Sequence, residues 1–137
     1  MENITLNINP ETVRWIIMKV KEFSVKEAVT FPEKISQAEY GYDASQILAD
    51  HIDDLTYREI IDTIKDLEPD QKIELIALLY IGRGDYSADD WQAACDEAEN
   101  YFSSGLEHYL LSMPLLASYL EKGLEMLGYD VYPDQIL

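Results

Sequence analysis

Apolar residues recur at helical spacing over most of this chain. Val13, Ile16, Ile17, Val20 and Phe23 form one stripe, as in a helix with a single buried face. Asn9-Pro10 sets its start, because Asn caps and Pro costs nothing at the first helical position. Thr56-Tyr57-Arg58-Glu59 matches a capping box, and Ile60, Ile61, Ile64 and Leu67 give the next buried face. Pro69 opens a helix in which Ile73 and Leu75 through Ile81 leave no polar face, so it is predicted to be central. Gly82-Arg83-Gly84-Asp85 stops it. Ser87 with Asp90 resembles a further cap. Trp91, Ala94, Cys95, Ala98, Phe102, Leu106 and Tyr109 then make a stripe, with Gly105 as a point of bending or breakage. Ser112-Met113-Pro114 restarts a helix that buries Leu116, Tyr119, Leu120, Leu124 and Leu127 before Gly128 ends it.

Three stretches fall outside this pattern. Ile4, Leu6 and Ile8 alternate with polar residues and read as an extended arm over residues 1–8. Periodicity fades over residues 24–44, which read as one long loop carrying Phe31, Pro32, Tyr40, Gly41 and Tyr42. Ser45 to Ile52 reads as a short helix, and residues 129–137 as an irregular tail. The expected fold is all-α, a single helical domain over residues 1–137 built as an irregular bundle of five or six helices. Trp91 is expected to be largely buried beside the Pro69–Ile81 helix, because a short turn makes the two helices neighbours.

Charge narrows the partners. The formal net charge is −17 over 137 residues. Residues 1–34 are neutral, with five basic groups and five acids, so the whole excess lies from Ile35 onward. The 38 residues from Gly84 to Glu121 hold eight carboxylates and no Lys or Arg. Such a surface repels phosphate, which argues against nucleic acid or anionic membrane as direct partners. It leaves a basic protein surface as partner, or plain solubility. The N-terminus lacks a basic, apolar leader, the longest apolar run is too short to span a bilayer, and the single cysteine, Cys95, cannot form an internal disulfide. A cytoplasmic setting is expected.

Catalytic raw material is thin. His51 and His108 are the only histidines, and neither belongs to a metal or nucleophile motif. Cys95 sits on an apolar stripe and reads as a small buried hydrophobe. Asp85, Ser87 and Asp89 alternate like the first half of a calcium loop. The match then fails, with Asp90 where the turn needs Gly, Gln92 at the apolar anchor and Asp96 at the bidentate Glu. A helix cap whose acids favour the positive end of the dipole accounts for the same residues. Arg83-Gly84-Asp85 spells an adhesion tripeptide, but its local meaning is an ion pair from Arg83 to Asp85 or Asp89. No cofactor is implied. Asp96, Glu99 and Glu107 lie mostly opposite the apolar stripe and are candidate partner contacts. So are Tyr40, Tyr42 and Tyr86, since tyrosine is enriched in interfaces.

The run Glu74-Leu75-Ile76-Ala77-Leu78-Leu79-Tyr80-Ile81-Gly82-Arg83-Gly84-Asp85-Tyr86, followed by Asp89-Asp90-Trp91, resembles an uncharacterised bacterial family. That family is known only as a numbered domain of unknown function, thirty-seven seventy-five. Tyr109 to Leu116 and Tyr119 to Leu124 resemble it as well, and Asn7 to Val13 more weakly. The resemblance implies a short acidic helical protein and brings no activity or site. The residues themselves point to a non-catalytic interaction or regulatory module that docks a basic partner protein. The alternatives are an acidic decoy that occupies a nucleic-acid-binding protein, and a metal-dependent enzyme built on the Asp85–Asp90 cluster.

Overall fold

The computed structural model describes residues 4–30, 54–100 and 105–131, with residues 24–30 as backbone only. The described residues form six α-helices: α1 (Pro10–Thr30), α2 (Leu55–Lys65), α3 (Pro69–Arg83), α4 (Trp91–Asn100), α5 (Leu106–Leu111) and α6 (Leu116–Met126). A single 3-10 turn, Ala88–Asp90, precedes α4, and no strand occurs among the described residues. The fold is all-α. No described helix is long and apolar enough to cross a membrane.

Helix α3 lies at the centre and divides its surface among three neighbours. At about 100° per residue, Leu78 and Gly82 share one side, Ala77 and Ile81 a second, and Ile76, Leu79, Tyr80 and Arg83 a third. The second side packs on α4, where Ala77, Ile81 and Ala94 form a small buried cluster. The first side meets α6 at a very close crossing. A Cβ added to Gly82 would fall 1.7 Å from the Tyr119 carbonyl oxygen, and one added to Gly123 would fall 2.3 Å from the Leu78 carbonyl oxygen. Neither helix tolerates a side chain at its contact residue, so the two backbones touch. From α6 the packing continues to α1, then to α2, then to α5. The stripe Val13, Ile16, Ile17, Val20 and Phe23 is buried as expected, as are Ile60, Ile61 and Ile64 of α2 and Leu116, Leu120 and Leu124 of α6.

Several boundaries and burials differ from the sequence expectation. Helix α1 runs to Thr30, into the stretch read as loop from residue 24. Ser24 to Thr30 contains no Gly or Pro, so nothing stops propagation before Pro32. The rest of that loop and the Ser45–Ile52 helix lie outside the described residues. At α2 the cap is Asp54, whose carboxylate accepts the Tyr57 N–H at 3.1 Å, and Thr56 is already in the first turn. Trp91 is half-buried, because α4 approaches α3 through the small residues Ala94 and Ala98 and leaves Trp91 at the edge. Gly84, at φ 93°, closes α3, with its N–H donating to the Tyr80 and Ile81 carbonyls at 3.1 Å.

The N-terminal arm is held by a buried carboxylate. Glu74 of α3 is 7% exposed and accepts the N–H groups of Asn7 and Ile8 at 2.7 and 2.8 Å and the Asn7 side-chain amide at 3.2 Å. Ile8 is fully buried as a result. The Gln71 amide donates to the Asn7 carbonyl at 3.3 Å, and the Tyr129 hydroxyl donates to the Ile4 carbonyl while accepting the Leu6 N–H. The arm is therefore clamped by α3 and by the residues after α6. Burial pushes the Glu74 carboxyl above its ordinary pKa. The Ile8 and Asn7 N–H bonds oppose that rise, and the nearby Asp70 adds to it.

Two outcomes are expected. Gly123→Ala should destabilise the protein by about 3 kcal/mol or more in chemical denaturation, since the added methyl meets backbone and the helices must separate. Stability within 0.5 kcal/mol or so of wild type would show the crossing to be loose. The second concerns Glu74→Gln. A folded Glu74 keeps its proton to higher pH than an unfolded one, so the folded state binds more protons just above the ordinary carboxylate pKa. The wild-type stability, relative to Glu74→Gln, should fall as pH rises through that window. Paired urea titrations from about pH 4 to 7 test this, and a difference that grows with pH would contradict it.

Candidate functional site

The third side of α3 does not meet another helix squarely. Ile76, Leu79, Tyr80 and Arg83 instead form one wall of a cleft, completed by Asp85 and Tyr86 of the following turn, Glu97 of α4, and Leu106, Tyr109 and Leu110 of α5. Its volume is about 800 Å³. The floor is apolar, with Ile76, Leu79, Leu106 and Leu110 all buried. The rim is aromatic and charged. Tyr80 and Tyr86 face each other with ring centroids 6.1 Å apart, and Tyr109 is 54% exposed.

Arg83 is held within this rim. Its Nε donates to Asp85 Oδ2 at 2.8 Å and a terminal nitrogen lies 2.6 Å from the same oxygen. Its guanidinium stands 5.4 Å from the centre of the Tyr80 ring. Of the two pairings expected for Arg83, the structure forms the one with Asp85. Glu97 is half-buried and has no hydrogen bond or ion pair among the described contacts. Arg83 is the single Lys or Arg between Lys72 and Lys122. The cleft is thus acidic overall and its one cation is already engaged.

The sequence candidates separate on the structure. Asp85 and Tyr86 line the cleft. Ser87 and Asp89 are exposed beside it, and the Ser87 hydroxyl donates to Asp90 at 3.2 Å. No three His, Cys, Asp or Glu among the described residues come together as a metal-holding group. Asp96 and Glu99 are exposed on α4, with Asp96 accepting from the Gln92 amide at 3.1 Å. Tyr40 and Tyr42 lie outside the described residues, as do Phe102, Tyr101 and Tyr132.

Glu107 is a correction. It was expected on an exposed acidic face and is instead 8% exposed, whereas Tyr109, expected in the buried stripe, points out. Gly105, at φ 83°, caps the start of α5, which is a helix separate from α4. The helical register that ran through Trp91, Ala94 and Ala98 does not continue past it. Glu107 turns inward near Tyr57, itself 1% exposed. The Tyr57 hydroxyl lies 3.0 Å from His108 Nδ1, its ring packs on Phe23, and burial, with the Glu107 charge second, pushes its pKa up to about 12. Cys95 is half-buried rather than fully so. Burial first, then Glu74 and Asp96, raises its thiol to about 11, which leaves it a poor nucleophile at neutral pH.

Glu97 and Tyr80 were not singled out from sequence. The signal for the cleft wall was present. Ile76, Leu79, Tyr80 and Arg83 fall at i, i+3, i+4 and i+7, a stripe that grades from aliphatic to aromatic to cationic along one helix face.

An all-α chain with an open, acid-rimmed cleft is the class of protein this defines. The family model described as a protein of unknown function, DUF3775, matches residues 57–129, more than half of the chain. The protein belongs to that family. The match runs from Tyr57 in the first turn of α2 through α6, and covers every residue of the cleft. No curated protein matches the chain, and no solved structure does.

Replacing Tyr57 by Phe removes one buried hydroxyl and leaves His108 Nδ1 without it. A loss of about 1 kcal/mol in urea denaturation is expected. No loss would show that the Tyr57–His108 contact carries no net stability.

Proposed function

We propose that this protein is a cytoplasmic, non-catalytic module that docks a partner protein through a basic surface on that partner. The observation that carries the reading is the cleft. Its floor is apolar, its rim is tyrosine, and Asp85 and Glu97 line it, with Asp89, Asp90, Asp96 and Glu99 exposed on the neighbouring turn and on α4. Apolar centres with aromatic rims are the usual anatomy of protein interfaces. The surrounding acids would steer a basic partner into place.

The N-terminal helix supports a net acidic face rather than a mixed one. Lys21 pairs with Glu121, Lys19 lies 3.6 Å from Glu59, and the Arg14 Nε donates to the Asp130 carbonyl at 2.8 Å. Arg14, Lys19 and Lys21 of α1 are thus engaged in contacts within the chain. A decoy of nucleic acid would have no use for an apolar floor, so the docking reading is favoured over it. An enzyme built on Asp85 and Asp89 finds less support, since Asp85 is engaged by Arg83 and Asp89 stands outside the cleft.

The test is kinetic. The immobilised full chain captures partners from the cytoplasm of the source cells, and the association rate of a captured partner is followed against salt. The rate should fall as ionic strength rises, because the screening length is about 8 Å at physiological salt and shorter above it. The pair Asp96→Lys and Glu99→Lys should slow association more than it speeds release, with the fold kept because both residues are exposed. Rates that ignore both salt and substitution would contradict electrostatic docking.

A further inference from the structure

We infer that the cleft receives a short amphipathic segment of a partner protein, with one large apolar side chain against the tyrosine rim and one lysine or arginine head on the Glu97 carboxylate. This rests on the docking reading above and specifies what the cleft selects. Of its two carboxylates, Asp85 is taken: a single oxygen receives both nitrogens of Arg83. Glu97 lines the same cleft half-buried, with no hydrogen bond or ion pair among the described contacts. A carboxylate beside an apolar floor, with no cation on it, has the sign and setting that a guest ammonium or guanidinium satisfies.

The apolar part of the guest has its place as well. Ile76, Leu79, Leu106 and Leu110 close the bottom of the cleft with at most 5% of their surface exposed, so the apolar surface open to a guest is that of the Tyr80, Tyr86 and Tyr109 rings, and about 800 Å³ exceeds what one side chain fills. Long basic side chains lay their methylene stems on apolar or aromatic surface and keep the charged head at the edge. Tyr109 is exposed at that edge and can cover such a stem. Arg83 on the Tyr80 ring already shows this arrangement inside the chain. Arg83 also repels a second cation, so it sets the threshold for binding.

The probes are synthetic peptides titrated into the full chain by calorimetry: a leucine–lysine amphipathic helix, a version with Glu for every Lys, and a version with Ser for every Leu. The leucine–lysine peptide should bind, and both altered peptides should bind at least tenfold more weakly. Glu97→Gln should weaken the leucine–lysine peptide roughly tenfold, the size of one lost charge-assisted contact, without lowering the melting temperature. Arg83→Ala should tighten it. Binding that is the same for wild type and Glu97→Gln would overturn the cleft assignment while leaving docking by the outer acids of α4 standing. Preference for the glutamate peptide, or weaker binding by Arg83→Ala, would show that the cleft takes an anion on Arg83. Absence of binding to the leucine–lysine peptide would overturn the inference too, and the salt dependence of partner capture would then decide the docking reading separately.

Discussion

The backbone contact between α3 and α6 is the constraint on which the arrangement depends. Gly82 meets the Tyr119 carbonyl and Gly123 meets the Leu78 carbonyl, so each helix supplies a glycine to the other. Close approach of this kind gives up two side chains' worth of apolar burial. It returns dense backbone packing and a fixed depth and register for the crossing. Because α6 also carries α1, and α1 carries α2, the position of the N-terminal half follows from this one contact.

The same crossing has a consequence for the opposite flank of α3. Its sides toward α6 and α4 are packed by glycine and alanine, residues that draw neighbours in. Its remaining side carries large residues, Ile76, Leu79, Tyr80 and Arg83, and α5 covers them incompletely. A cleft is left where bulky side chains meet a helix of six residues that begins afresh at Gly105. Charge then defines its character. Lys21, Lys19 and Arg14 of α1 are drawn to Glu121, Glu59 and the Asp130 carbonyl, while the cleft side keeps its acids.

Much of the fold was legible in the chain. The stripes of α1, α2 and α6, the central place of α3, the stop at Gly84 and the break marked by Gly105 at the start of α5 are all periodicity or backbone chemistry, and both act locally. What was not legible depends on contacts between distant residues. Glu74 sits in a run of apolar residues, and nothing near it in sequence reveals that Asn7 and Ile8 supply its donors. Gly82 reads as part of a helix stop until Gly123 is placed against its helix, since a close approach has no one-residue signature. Glu107 and Tyr109 exchanged sides because α5 is a separate helix, begun at the left-handed Gly105, that does not keep the register of α4. The cleft followed the same rule: Asp85 and Tyr86 stood out in sequence, whereas Glu97 gained its meaning from α3 and α5.

Docking in the cleft is tested most directly by mapping. Backbone amide resonances of the isotopically labelled chain are recorded while the leucine–lysine peptide is added. Shifts concentrated at Ile76, Leu79, Tyr80, Glu97, Leu106 and Leu110, with little change at Asp66 or Glu125 on other exposed positions, are the expected result. Shifts scattered over all exposed carboxylates, with the floor of the cleft unmoved, would contradict it and reduce the acidic surface to a diffuse charge.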